Sequence, residues 1–254
     1  RDALKNQNAG ANVYNVAMGY QAGLSVTTGT ENVLIGGLAG DSLTSGSYNV
    51  AIGHGSLDQE DAHGKNVAVG YLTLTAQDAG VDADNVAVGF EAGNDVTTGA
   101  QNTLVGALAG SSLTTGEKNT AIGKSALLTE DTGDRNVAVG WGALQTLNYD
   151  GSGYNVAVGY DAGVNMSTGI NNTLIGGLAG DALTTGARNV AIGYAALSTE
   201  DGHGRTVAIG YRALVAQDAG ADAYNTAVGY EAGAAVTTST ANTLIGGHAG
   251  DALT

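Results

Sequence analysis

The sequence is built from a five-residue motif that recurs along its 254 residues. The motif has the form Asn-Val-Ala-Ile-Gly with conservative variation, and it occurs fourteen times. Its first residue stands at Asn15, Asn32, Asn49, Asn66, Asn85, Asn102, Asn119, Asn136, Asn155, Asn172, Asn189, Thr206, Asn225 and Asn242. Successive copies are 17, 17, 17 and 19 residues apart, so a super-repeat of 70 residues begins at positions 15, 85, 155 and 225. A fixed period of this kind indicates a repeat architecture.

Other columns of the repeat keep the same super-period. The residue eight positions after each motif start follows the order Gly, Gly, Leu, Leu, beginning with Gly23, Gly40, Leu57 and Leu74. Repeats of this length stack so that each contacts only its neighbours. We therefore predict an all-β fold, a parallel β-solenoid with coils of 17, 17, 17 and 19 residues, continuous over residues 1–254. Both ends fall inside a coil without a capping repeat, so we expect an excerpt of a longer fibre.

Within the motif, apolar residues occupy both faces of the predicted strand. With 42 glycines, no proline and 5% aromatic residues, the chain cannot fill a thick core, and we expect about two short strands and two turns per coil. The first and third residues after the Asn, such as Val33 and Ile35, are expected to point into the coil. The opposite face carries Ala or Leu, and we expect it to pack against another copy, giving a homo-oligomer.

The Asn column also has a structural interpretation. Identical Asn side chains in stacked coils can form hydrogen bonds along the column at a spacing of ~4.8 Å. All fourteen motif starts contribute except Thr206. We expect this column to be a structural ladder rather than a binding site.

Net charge and the length of the apolar stretches exclude two classes of partner. The formal charge is −15, so the chain lacks the basic stripe that nucleic-acid binding requires. No apolar stretch is long enough to span a bilayer, so we expect no membrane insertion in this segment. There is no cysteine for a disulfide or a thiolate metal site.

Catalysis is not predicted. An active site needs unlike groups that converge at one place, whereas a regular repeat places like groups in columns. Of the four histidines, only His63 and His203 share a column, and they lie eight coils apart. We expect no enzyme activity and no cofactor.

The motif resembles the head repeats of YadA-like trimeric autotransporter adhesins, as in residues 49–53 and 189–193 (both Asn-Val-Ala-Ile-Gly) and 66–70 (Asn-Val-Ala-Val-Gly). The repeats also resemble segments of bacteriophage tail fibres and of giant bacterial surface proteins. The resemblance implies a left-handed β-roll, a homotrimer, an extracellular place on a cell or virion surface, and adhesion to a surface receptor. The coil length and the 70-residue super-repeat depart from that family's pattern.

Aromatic residues occupy the position five after the motif start in first and fourth coils. Neighbouring coils should stack them as pairs that contact glycans or, alternatively, shield the corner that follows the glycine. The predicted members are Tyr71, Phe90, Trp141, Tyr160, Tyr211 and Tyr230.

Acidic residues cluster in the turns of third and fourth coils. Oxygen-rich turns can bind calcium, although solvated loops that keep the chain soluble are the alternative. The third-coil turns carry Glu60-Asp61, Glu130-Asp131 and Glu200-Asp201, and the calcium candidates of the fourth coils are Asp78, Asp82, Asp84, Asp218 and Asp222.

These features predict a structural and adhesive segment of an extracellular fibre. The alternative is a ligand-binding solenoid, such as an ice-binding or a calcium-stabilised secreted protein. Ice binding requires a regular outward array of Thr, whereas Thr27-Thr28 and its equivalents are adjacent and absent from third and fourth coils.

Overall fold

The computed structural model describes all 254 residues, Arg1–Thr254. Its only regular elements are fourteen three-residue strands, one in each coil, which confirms the predicted parallel β-solenoid. The chain divides into two compact units, Arg1–Ser125 and Ala126–Thr254. No helix in it has the length and apolar character that crossing a membrane requires.

The strands of the first unit pair in parallel with the next strand in sequence. The register places equivalent motif residues side by side, so that Ala17 lies opposite Leu34 and Leu34 opposite Ala51. The seven strands are β1 (Val16–Met18), β2 (Val33–Ile35), β3 (Val50–Ile52), β4 (Val67–Val69), β5 (Val86–Val88), β6 (Thr103–Val105) and β7 (Thr120–Ile122).

The second unit repeats this arrangement, again with every strand parallel to the next and motif residues in register. Its strands are β8 (Val137–Val139), β9 (Val156–Val158), β10 (Thr173–Ile175), β11 (Val190–Ile192), β12 (Val207–Ile209), β13 (Thr226–Val228) and β14 (Thr243–Ile245).

Each coil has one strand rather than the expected two because the chain after the strand cannot remain extended. In the second coil, Gly36, Leu38 and Gly40 have φ of 136°, 61° and 54°. Alternate residues therefore adopt positive φ, which coils the backbone into successive turns. Hydrogen bonds between coils continue through these turns, for example from Gly40 N to Ser56 O at 2.9 Å.

The expected orientation of the strand was wrong. The middle residue, Ala or Leu, points into the coil and is fully buried, as at Leu34 and Ala51. The flanking residues, such as Val33 and Ile35, are only half-buried and face outward. The interior of so short a coil is narrow, and it holds the small Ala in most coils and Leu only where neighbouring glycines leave room for it.

Leucine and glycine exchange places within this narrow interior. A Cβ added to Gly23 of the first coil or to Gly40 of the second would lie 2.6 or 2.9 Å from the methyl carbons of Leu34. In the third coil, Ala51 is paired instead with the buried Leu57. The Gly-Gly-Leu-Leu order of the sequence therefore keeps the interior filled: coils that have Leu in the strand have Gly eight positions after the motif start.

Candidate functional surfaces

The Asn column forms a buried ladder whose bonds run chiefly to the backbone. The Oδ1 of Asn32 accepts the backbone amide of Asn49 at 2.9 Å, and its Nδ2 donates to Gly46 O at 2.8 Å. The same pair of bonds recurs along both units. Direct bonds between Asn side chains, the expected form of the ladder, occur at Asn155–Asn136, Asn172–Asn155 and Asn242–Asn225, with lengths of 3.1–3.2 Å.

Exposed aromatic rings form stacks along one corner of the coils. In the neighbouring pairs, the ring centroids lie 5.2–5.5 Å apart at interplanar angles of 10–12°. The rings are 41–57% exposed, so their faces are shared with neighbours while their edges reach solvent. The pairs are Tyr71 with Phe90, Trp141 with Tyr160 and Tyr211 with Tyr230.

Three further rings extend these stacks. His54 stacks on Tyr71, and Tyr194 stacks on Tyr211. Both third-coil residues stand five positions after the motif start, so the sequence column that predicted the pairs could also have predicted them. His248 contacts Tyr230 edge-on at 5.3 Å.

The outward side of the strands is an uncharged surface, which we call the outer face. It consists of the first and third residue of each strand, and these are Val, Ile, Thr or Met in every coil. Most are half-buried even though no other element covers them, because neighbouring strands shield one another. In each unit, seven strands spaced by ~4.8 Å, each roughly 10 Å long, present about 300 Å² of this surface.

The acidic turns divide into buried and exposed carboxyls. Glu60, Glu130 and Glu200 are 0–1% exposed, so the expectation of solvated loops was wrong for these three residues. They stand eleven positions after the motif start, in the column where first and second coils bury Val26 and Leu43. The burial of these three glutamates could therefore have been predicted from the column in which they stand.

Burial disfavours the charged form of two of these glutamates, Glu130 and Glu60. Burial raises the pKa of Glu130 to about 7, although backbone amides of Gly133 and Tyr149 oppose the shift. It also raises the pKa of Glu60, again against the backbone amide and charge of His63.

The calcium candidates do not come together as one group. Asp82 pairs with Lys65 at 2.8 Å and accepts the backbone amide of Gly64 at 3.1 Å, and Asp222 pairs in the same way with Arg205 and Gly204. Asp78 lies instead beside Glu60, Asp61 and His63. Asp84 and Asp218 belong to no such cluster.

Comparisons of this chain with protein-family models, with curated proteins and with solved structures find no match.

Proposed function

We propose that this chain is a structural and adhesive segment of an extracellular fibre, displayed on a cell or virion surface, in which copies associate through the outer face. The observation that carries the proposal is the outer face itself: an uncharged strip of Val, Ile and Thr on a chain of net charge −15. The largest apolar patch on a typical monomer, about 300–600 Å², is often functional.

A second copy of the chain is the occupant that fits this face. The chain is strongly acidic, so two copies repel one another unless they meet where charge is absent. Within each unit the outer face repeats every coil, so an identical face offers the same spacing. The resemblance to trimeric adhesin heads favours three copies, with the assignment of faces reversed from the sequence expectation.

Light scattering tests the association. The wild-type chain is expected to show a mass near three times 25.0 kDa. Ile52→Lys places a charge on the outer face and should give a folded monomer, whereas Gln59→Lys, at an exposed turn, should leave the mass unchanged. A wild-type monomer, or equal masses for both variants, would refute an outer-face interface.

The adhesive part of the proposal rests on the aromatic stacks. The row of half-exposed rings presents aromatic edges and Tyr hydroxyl groups, which together offer a sugar apolar contact area and hydrogen-bonding groups. Labelled wild-type protein on a glycan array is expected to bind a subset of glycans, and Trp141→Ala should weaken that binding at least tenfold. Tyr48→Ala removes a ring that is 55% exposed outside the stacks and serves as the control. Equal binding by all three proteins would refute the stacks as the contact surface.

An ice-binding surface is not favoured. The hydroxyl of Thr27 donates to Thr44 O at 3.1 Å, and that of Thr97 donates to Thr114 O at the same distance. These hydroxyls hold successive coils together. Threonine on the outer face occurs at irregular intervals, at β6, β7, β10, β13 and β14.

A further inference from the structure

The third-coil turn of the first unit contains a buried carboxylate oxygen without a partner. The side chain of Glu60 is 0% exposed. Its Oε1 accepts the backbone amide of His63 at 3.0 Å, but its buried Oε2 has no hydrogen-bond partner. A buried polar atom that is left unsatisfied is costly, so such an atom calls for a bound ion or water as its partner.

Three more ligand atoms surround this carboxylate. The Nδ1 of His63 lies 3.6 Å from Glu60 Oε1, and it too is buried without a hydrogen bond. Asp61 and Asp78 lie at the exposed rim, and Asp78 is supplied by the following coil. One ligand atom from each of the four residues lies within 4.8 Å of all the others.

The charge of the cluster favours a cation. Three of its four members are carboxyls, and the charges of Asp78 and Asp61 add to burial in raising the pKa of Glu60. The neighbouring Lys65 is held by Asp82 instead. A bound dication would offset this repulsion and supply the partner that Glu60 Oε2 lacks.

We propose that Glu60, Asp61, His63 and Asp78 bind one divalent transition-metal ion, with Zn²⁺ the best fit. One imidazole nitrogen and three carboxylate oxygens match the ligands that Zn²⁺ takes at about 2.0–2.2 Å, whereas Ca²⁺ takes oxygen ligands alone. Tetrahedral bonds of that length place ligand atoms roughly 3.3 Å apart. The exposed Asp61 and Asp78 side chains can rotate inward to reach that spacing.

The chain carries two natural variants of this turn. In the second unit, Glu200, Asp201 and His203 form a three-residue version, and Glu200 Oε2 already accepts Gln217 Nε2 at 3.2 Å. We therefore expect a second, weaker site there.

The other variant lacks the histidine. Gly133 replaces it, and Asn148 stands where the first turn has Asp78. Both oxygens of Glu130 accept backbone amides, from Gly133 at 2.8 Å and from Tyr149 at 3.3 Å. This turn needs no ion, and it shows that glycine is compatible with the backbone of the turn.

Titration of the untagged full chain with ZnCl₂ by calorimetry tests the proposal, which does not depend on the proposed fibre function. The wild type should show one tight and one weaker site. His63→Gly, which copies the natural Gly133 turn, should weaken the tight site at least tenfold, and His203→Gly should affect only the weaker one. Thermal melting without metal checks that both variants are folded.

Cobalt substitution supplies a spectroscopic readout. Co²⁺ should give visible absorption bands from a site with nitrogen and oxygen ligands, and His63→Gly should lose most of their intensity. Tight Zn²⁺ binding that survives His63→Gly would overturn the assignment, as would absence of saturable Zn²⁺ binding. Tighter binding of Ca²⁺ than of Zn²⁺ would overturn the choice of ion.

Discussion

The hydroxyl of Thr206 accepts a hydrogen bond from Gln217 Nε2 at 3.0 Å, and this contact replaces one step of the Asn ladder. The backbone amide of Thr206 still donates to Asn189 Oδ1 at 3.1 Å. The next residue of the column, Asn225, donates its Nδ2 both to Gln217 Oε1 and to Ser239 O, each at 2.8 Å. Gln217 thus contacts both Thr206 and Asn225 at the step where the column lacks an Asn, and Gln77 makes the equivalent contact to Asn85 in the first unit.

The equivalent position in the first unit, Asn66, should tolerate the same change. Asn66 Oδ1 accepts the amide of Asn85 at 3.2 Å, but its buried Nδ2 has no partner. Asn66→Thr therefore loses one bond and removes one unsatisfied donor, and it should cost about 0–1 kcal/mol. Asn32→Thr removes both the acceptor for Asn49 and the donor to Gly46, so we expect a cost of about 2–4 kcal/mol.

Urea unfolding of the two variants measures this difference. Equal losses of stability would contradict the view that the ladder contributes through these particular bonds.

The exchange of Leu and Gly inside the coil predicts a coupled pair of substitutions. Leu34→Ala should lower the free energy of unfolding by about 2–5 kcal/mol, because it leaves a cavity beside Gly23 and Gly40. Gly40→Leu alone should also destabilise, because its side chain would overlap Leu34 and, more closely, Leu43. The double variant has the Ala-and-Leu arrangement of the third coil, where Leu57 adopts a φ of 50° close to the 54° of Gly40.

Thermodynamic double-mutant analysis should therefore give a favourable coupling of roughly 1–3 kcal/mol between positions 34 and 40. Additive losses would show that the two positions do not share one space.

The glycine that ends each strand should be irreplaceable, whereas the glycine after it should not. Gly36 has a φ of 136°, and a Cβ there would lie 2.3 Å from Gly53 O in the next coil. Gly36→Ala should cost at least about 3 kcal/mol. At Gly37 the nearest atom is 3.4 Å from an added Cβ, and the next super-repeat has Ala107 at that position.

Gly37→Ala is thus the matched control. Thermal melting of both variants measures the difference in their stability. Similar melting temperatures would contradict the close stacking of these corners.

Coil boundaries and register could be predicted from the sequence because one Asn opens almost every coil. A slip of one residue would expose the Ala and Leu column that the structure buries. The inward face could not be predicted, because both faces of the strand are apolar. The alternation of residues along the strand shows that there are two faces but not which of them points into the coil. The width of the interior decides it, and that width depends on the path of the turns after Gly36. The partners of the Glu60 oxygens likewise depend on turn geometry, although the burial of Glu60 could be inferred from its column.

The buried Glu130 should make the stability of the chain depend on pH. Burial raises its pKa to about 7 against an ordinary value of 4.5, and the neighbouring Asp131 adds to the shift. The folded chain therefore holds this proton to higher pH than the unfolded chain does. Stability should fall as the pH rises from about 4.5 to about 7, and should then level off.

Unfolding by urea at pH 5 and pH 8 tests this dependence. Glu130→Gln cannot ionise, so it should lose less stability than the wild type across this interval, by on the order of 1–2 kcal/mol. Glu31→Gln, which changes an exposed carboxyl, should follow the wild type. If Glu130→Gln follows the wild type as well, the carboxyl of Glu130 titrates alike in the folded and unfolded chain, and the pH dependence arises elsewhere.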